Sequence, residues 1–368
     1  MGVYERLGVA PLINALGTVT VVGGSRMDPR VLEAMTEASA SFVDLPQLLD
    51  RAGETIARLV GAEAACVTSG AAAGLAVATA ACLAHGDPER IRQLPDTTGM
   101  SDRALVLAAH RMVYDQAVRL AGAELVEVGS ADVASLEQVE AAIDDRTALF
   151  FYFAGAAAMP GSLPLRDLAD LLKRHGIPLV VDAAAELPPA ANLTSFLADG
   201  ADLVVFSGGK EIGGPQSSGF ILGSVPLIRE CAANNFPHHS IGRSMKTDKE
   251  TIVGLVTAVE LFVQRDYDAI FERWRRLSEA VVAAVNRLPG CTARVGHPTV
   301  PGIQPREIPR AYIDQAPLTA PELRDRLLRR TPPVAVGVED GSVAINPQCL
   351  ADDELQPLID ALVSELSA

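Results

Sequence analysis

The chain has 368 residues, 49% of them hydrophobic and 21% charged, a soluble globular composition with room for one large and one smaller domain. Its net charge of −15 argues against a nucleic-acid or anionic-membrane partner, because binding phosphate needs a basic surface. The five cysteines (Cys66, Cys82, Cys231, Cys291 and Cys349) show no paired spacing, which suggests reduced thiols and neither a disulfide framework nor a zinc site.

The N-terminal stretch "MGVYERLGVAPLINALG" lacks the layout of a signal peptide, and no apolar run reaches the length of a membrane span, so a cytoplasmic setting is expected. From about residue 55 helices and strands alternate. "ETIARLVGA" reads as a helix, "AACVT" as a strand, and "SGAAAGLAVATAACLA" as a helix opened by a Ser-Gly pair. Then come strand "RALVLAAH", helix "VYDQAVRLAG", strand "ELVEVG", helix "SLEQVEAAI" and the buried strand "TALFFYF". "LPLRDLADLLKRHG" is a helix closed by Gly176, and "IPLVVD" and "ADLVVF" are near-continuous apolar strands of the kind buried on both faces. Repeated β-α-β units imply a mainly parallel sheet. From about 250 a long helical stretch, interrupted near Asp266, leads into short strands and a terminal helix. The expected organisation is an N-terminal segment (1–45) near the active site and the small domain, a large α/β domain (46–255) and a smaller α+β domain (256–368).

Several chemistries lack their motifs: there is no G-x-G-x-x-G, no G-x-x-x-x-G-K-[ST], no H-E-x-x-H and no G-x-S-x-G. The pair His238-His239 has no carboxylate at ligand spacing, and no metal is expected. Of 31 basic residues only four are lysines (Lys173, Lys210, Lys246 and Lys249), and Lys210 is fenced by glycines in "SGGKEIGG". A lysine amine can lose its proton and attack a carbonyl, which a guanidinium cannot.

Ligands of open α/β sheets bind beyond the carboxyl ends of strands, and His110, Asp182 and Lys210 all stand at such ends. Each has a plainer reading: a strand-end histidine, a helix cap or metal ligand, and a solvated turn lysine. "TSGAAAG" is either an ordinary helix start or an anion cradle. Together the four match the needs of pyridoxal phosphate: an amine for its aldehyde, a cradle for its phosphate, a carboxylate for its ring nitrogen and a flat group for its ring. The sequence supplies them in order as Thr68-Ser69-Gly70-Ala71, His110, Asp182 and Lys210.

The stretches "PLINALGTVT", "GAEAACVTSGAAAGLA", "VDAAAELPP", "FSGGKEIGGPQSSGFILG" and "IGRSMKTDKE" carry a resemblance to fold-type I pyridoxal-phosphate enzymes, the aspartate aminotransferase superfamily. Within it the chain is similar to the group of bacterial selenocysteine synthase, and most similar to the D-glucosaminate-6-phosphate ammonia-lyase type. The resemblance implies that Lys210 bonds the cofactor, Asp182 partners the pyridine nitrogen and His110 stacks on the ring. It implies that Thr68, Ser69, Gly70, Ala71, Ser207 and Gln216 bind the cofactor, with Ser69, Gly70, Ala71 and Ser207 around its phosphate. For the substrate it implies Arg243, otherwise a surface arginine, and the asparagine of "PLINALG", Asn14 (position 15 is Ala15). Members of the group carry a basic residue near the position of Gly213 and a smaller one at Glu211, and this chain departs at both. Lys246 and Lys249 open a helix against its dipole, which favours a functional or packing reason.

The expected activity is Cα deprotonation, β-elimination and ammonia release from an amino acid or amino sugar acid that also carries an anionic group. The cofactor pattern by itself suits transamination or racemisation equally, and a non-catalytic relative on the same fold is the reading from another class. Selenocysteine synthesis on tRNA is disfavoured by the acidic charge. The resemblance implies a homodimer or a multiple of one.

Overall fold

The computed structural model describes residues 2–299 and 305–367. Two compact units emerge, one of Arg26–Arg265 and one of Met1–Ser25 with Asp266–Ala368. In chain order the strands are β1 (Ile13–Ala15), β2 (Ala64–Thr68), β3 (Arg103–Leu107), β4 (Glu124–Val128), β5 (Thr147–Phe153), β6 (Leu179–Asp182), β7 (Leu203–Ser207), β8 (Gly219–Gly223), β9 (Thr292–Gly296), β10 (Arg310–Gln315), β11 (Val334–Glu339) and β12 (Ser342–Ile345).

The larger unit is built on a seven-stranded sheet in the order β2-β8-β7-β6-β5-β3-β4. From β7 to β4 every pairing is parallel, while β8 runs antiparallel between β7 and β2. The apolar runs that marked these strands are buried: Phe150, Phe151, Val180, Val181, Val204, Val205 and Phe206 have no exposed surface. Covering one face is helix Ala71–Ala84, apolar all round and buried from Ala73 to its end, as a helix in the middle of a large core should be. Segment Gly219–Gly223 carries no helix or strand assignment in the sequence reading. It is short and bounded by glycines, and only its slot between β2 and β7 makes it a strand.

The long helical stretch divides where expected. Helices Lys249–Phe262 and Tyr267–Val285 are separated by a connector, and the Asp266 side chain caps the second by accepting from the Ala269 N–H at 3.1 Å. Lys249, whose placement opposes the first helix's dipole, has a packing reason. Its Nζ donates to the carbonyl of Ala38 at 2.7 Å, in the last turn of helix Pro29–Ser39, and pairs with Glu250.

The smaller unit carries a five-stranded sheet in the order β1-β11-β12-β10-β9, with β1 parallel to β11 and the other pairs antiparallel. Helices Tyr267–Val285, Ala320–Leu328 and Leu355–Leu366 pack with it around a core that includes Ile13, Val281, Leu323, Val334, Ile345 and Leu362. All five cysteines are free thiols, four of them buried. Among the described residues no helix is long and apolar enough to cross a membrane.

Candidate active site

Strand register gathers the expected residues at the carboxyl end of the large sheet. Asp182 ends β6 and lies opposite Phe153 of β5 and Val205 of β7. Two residues beyond Val205, Ser207 ends β7 opposite Gly219, the first residue of β8. Gly219 in turn abuts the loop after β2: a Cβ built on it would lie 2.8 Å from the Gly70 carbonyl carbon and 3.0 Å from the Ala71 nitrogen. Lys210 follows three residues after Ser207. His110 closes the opposite side, its Nδ1 accepting from the Phe153 N–H at 3.2 Å.

The loop after β2 is shaped to present backbone amides. Gly70 takes φ +111°, a conformation that side-chain-bearing residues avoid, and opens helix Ala71–Ala84 with no side-chain cap. The first-turn amides therefore keep the helix's positive end available. A Cβ on Gly70 would meet nothing within 4 Å, so there is room in front of the loop. The hydroxyls of Ser69 and Ser207, both partly exposed, have no protein partner among the described residues. Thr68 departs from expectation. It is wholly buried and its Oγ1 donates to the Gly70 carbonyl at 3.0 Å, so its side chain shapes the loop.

Asp182 is 3% exposed. Its Oδ1 accepts from the Ala184 N–H at 3.0 Å, and among the described residues no donor is assigned to Oδ2. Burial pushes its carboxyl above the usual range, opposed by the Ala184 amide and by the charge of Lys210. Burial likewise lowers the Lys210 amine, opposed by Asp182 and Glu186. Both groups are thus driven towards their neutral forms without touching. A cationic ring nitrogen at Asp182 and a neutral amine at Lys210 are what pyridoxal phosphate demands of its site, and the amide cradle at Gly70 suits its phosphate. The residues fit the group.

His110 also departs from expectation. Its ring has no exposed surface, stands edge-on to Tyr152 with centroids 4.4 Å apart, and has both nitrogens engaged. Because Nδ1 accepts from a backbone amide, Nε2 carries the proton and donates to Ser162 Oγ at 2.8 Å. Burial holds its pKa down to about 4, so the ring is neutral. No face is left for stacking; His110 is a wall that ties β3 to β5.

Three further residues were expected at the site. Asn14 belongs to the smaller unit, where its side chain closes its own turn: Oδ1 accepts from the Leu16 and Gly17 amides and Nδ2 donates to the Gly17 carbonyl. Arg243 is exposed, with its guanidinium 5.4 Å from the centre of the Phe236 ring. Gln216 is exposed, on the loop that returns past Gly209.

Glu186, Tyr152 and Arg265 lack any role in the sequence reading. Glu186 lies four residues beyond Asp182 and acts electrostatically on both Lys210 and Tyr152. Arg265 supplies the basic group expected near Gly213. Its Nη2 lies 2.9 Å from where a Gly213 Cβ would stand, and its Nη1 pairs with the buried Glu211 carboxylate at 3.1 Å. The departures at 211 and 213 are thus linked through one arginine some fifty residues away in sequence.

The family model for SelA, L-seryl-tRNA selenium transferase, matches residues 12–279. D-glucosaminate-6-phosphate ammonia lyase of Salmonella typhimurium is 37% identical over 286 residues, covering 76% of this chain and 75% of that protein. The chain belongs to the SelA family. A 5'-C-glycyluridine monooxygenase-decarboxylase of a Streptomyces species is 35% identical over 303 residues, 79% of this chain and 73% of that protein. A solved structure of D-glucosaminate-6-phosphate ammonia-lyase superposes over the whole of both chains with a TM-score of 0.85 and 29% identity. Thermus thermophilus aspartate aminotransferase, at 20% identity and a TM-score of 0.53 over 98% of this chain and 93% of that one, shows the shared fold. The fold is aspartate aminotransferase-like.

Proposed function

We propose that this SelA-family chain is a pyridoxal-phosphate-dependent lyase that releases ammonia from an amino acid or amino sugar acid carrying a leaving group at Cβ and a further anionic group. The observation that carries the reading is the pair of a buried Asp182 and a half-buried Lys210, joined by no ion pair among the described residues and set beyond the strand ends beside an open amide cradle. The likeness to an ammonia lyase over three quarters of both chains supports this outcome over transamination or racemisation. The net charge of −15 favours a small substrate over tRNA.

Pyridoxal phosphate, when bound, supplies an aldehyde for the substrate amine and an electron sink for the carbanion formed at Cα. Ser69, Ser207 and the amides of Gly70 and Ala71 would hold its phosphate, and Asp182 Oδ2 would keep a proton on the pyridine nitrogen. Lys210, its amine pKa lowered by burial, is the residue that would bond the cofactor and, when released, would take the Cα proton. Glu186 places a second carboxylate in the electrostatic field of that amine. The Cβ substituent departs with its bonding electrons. For a hydroxyl the water lost is returned on hydrolysis, so the net products are a 2-oxo acid and ammonia. Arg243 is the side chain we assign to an anionic substrate group, and Gln216 we place beside the cofactor.

We also assign the chain a homodimer or a multiple of one, in the cytoplasm. Phe42, Val43, Val113 and Tyr114, large apolar side chains exposed on the larger unit, support a covering partner.

The test is a visible absorbance scan with pyridoxal phosphate, followed by assays on β-hydroxy amino acids and on amino sugar acids with and without a phosphate. Equimolar ammonia and 2-oxo acid are expected. Transfer of the amino group to an added oxo acid without free ammonia would make the chain an aminotransferase, and inversion at Cα alone a racemase. No visible band and no turnover would leave a non-catalytic relative.

A further inference from the structure

The glycine-rich turn that carries Lys210 is held from outside. Within it the Gly213 N–H donates to the Lys210 carbonyl at 3.0 Å, and the Gly214 N–H returns to the Gly208 carbonyl at 2.8 Å. The next two carbonyls face outward, and Arg265 takes both: Nη1 donates to the carbonyl of Glu211 and Nη2 to that of Ile212 at 3.1 Å. The same Nη1 reaches Glu211 Oε1 at 3.1 Å, and the guanidinium lies over Phe262, 5.4 Å from the ring centre. Gly213 has φ +77°, and the guanidinium fills the space that any side chain there would need. Asp28 is a further carboxylate within the electrostatic reach of Arg265.

We infer that Arg265 is a positioning residue for Lys210, fixing the peptide planes of residues 210–213 so that the amine is presented beside Asp182. The inference rests on the reading of Lys210 as the cofactor-bearing lysine. A turn built from Gly208, Gly209, Gly213 and Gly214 has much conformational freedom to lose. A planar fork that grips two successive carbonyls and a carboxylate removes that freedom at one point. Lysine, a single-point donor, reproduces only part of the grip. The connector that holds Arg265 lies between the capped helices Lys249–Phe262 and Tyr267–Val285, so the clamp is anchored on regular structure.

The experiment compares the full-length wild type with Arg265→Met, Arg265→Lys and Glu211→Gln. Without cofactor, amide hydrogen exchange is followed at Glu211–Gly214 together with the thermal midpoint. With pyridoxal phosphate, the dissociation constant and the visible ellipticity per bound cofactor are measured. Arg265→Met should speed exchange at Gly213, weaken cofactor binding by about tenfold or more and lower the ellipticity, the scale of losing charge-assisted hydrogen bonds. Arg265→Lys should recover part of each. Glu211→Gln, which leaves both carbonyl bonds, should stay within about threefold of wild type in affinity.

Freed exchange in Arg265→Met with wild-type affinity and ellipticity would make the clamp merely structural and overturn the inference. Glu211→Gln matching Arg265→Met in full would overturn it too, by assigning the effect to the ion pair. A wild type without a lysine-dependent visible band would sink the reading of Lys210 itself, and the inference with it. The exchange measurement would still report whether the clamp exists, so the two failures are distinguishable.

Discussion

The two units each shelter a pair of opposite charges, and they treat them differently. In the smaller unit Arg310 of β10 and Glu339 of β11 are in direct contact, with side chains 3% and 10% exposed. Tyr312 completes the arrangement by donating to Glu339 Oε2 at 2.7 Å. In the larger unit a buried Asp182 and a half-buried Lys210 feel each other's charge, yet among the described residues no ion pair joins them. A buried charge with its partner in hand is a finished structural element. Opposite charges held apart in a sheltered place, each pushed towards neutrality, are a cost that a fold sustains where a ligand will complete them.

That contrast makes the two pairs respond oppositely to loss of charge. Glu339→Gln should cost the protein about 3 kcal/mol or more in denaturant unfolding, because it takes the counter-charge from a buried guanidinium. A loss under about 1 kcal/mol would show that Arg310 finds other partners. Asp182→Asn should cost no stability without cofactor. Its folded pKa is raised, so the ionised carboxylate destabilises the fold at pH 7, and the amide removes that charge. Turnover should fall by about a hundredfold while cofactor binding survives in part, a loss comparable to one preorganised electrostatic contact. If Asp182 were only a cap, stability would drop by about 1 kcal/mol and turnover per folded molecule would hold.

His110 gives a smaller, pH-dependent effect. Its folded pKa is about 4 against 6.5 unperturbed, so the unfolded chain binds the extra proton between those values. Stability should therefore fall as pH drops through that window, by about 2 kcal/mol between pH 7 and 5 from this residue. Cofactor-free His110→Gln should lose that much less than wild type over the same range. Parallel pH profiles would show that the imidazole titrates in the fold as it does in the unfolded chain.

Much of this was legible in the chain. "TALFFYF" is β5 to the residue, because an apolar run buried on both faces leaves no other period to read. Asp182 and Lys210 were legible because strand ends in an α/β sheet are where sites form. What escaped depends on tertiary partners. Nothing local distinguishes Arg265 from the other surface arginines until the fold brings it to the Lys210 turn. His110 sits at the right strand end, but its neighbours Tyr152 and Ser162, distant in sequence, enclose the ring. The Asn14 side chain was lost to its own turn, a competition that polar residues beside glycine often settle locally.

The most direct test of the open pair is chemical. The protein loaded with pyridoxal phosphate is reduced with borohydride, digested and mapped. The phosphopyridoxyl label is expected on Lys210 alone, since desolvation lowers its amine's pKa, whereas the Lys249 Nζ is already bonded to Ala38 and Glu250. A label on Lys246 or Lys249, or none under saturating cofactor, would contradict the site at its centre.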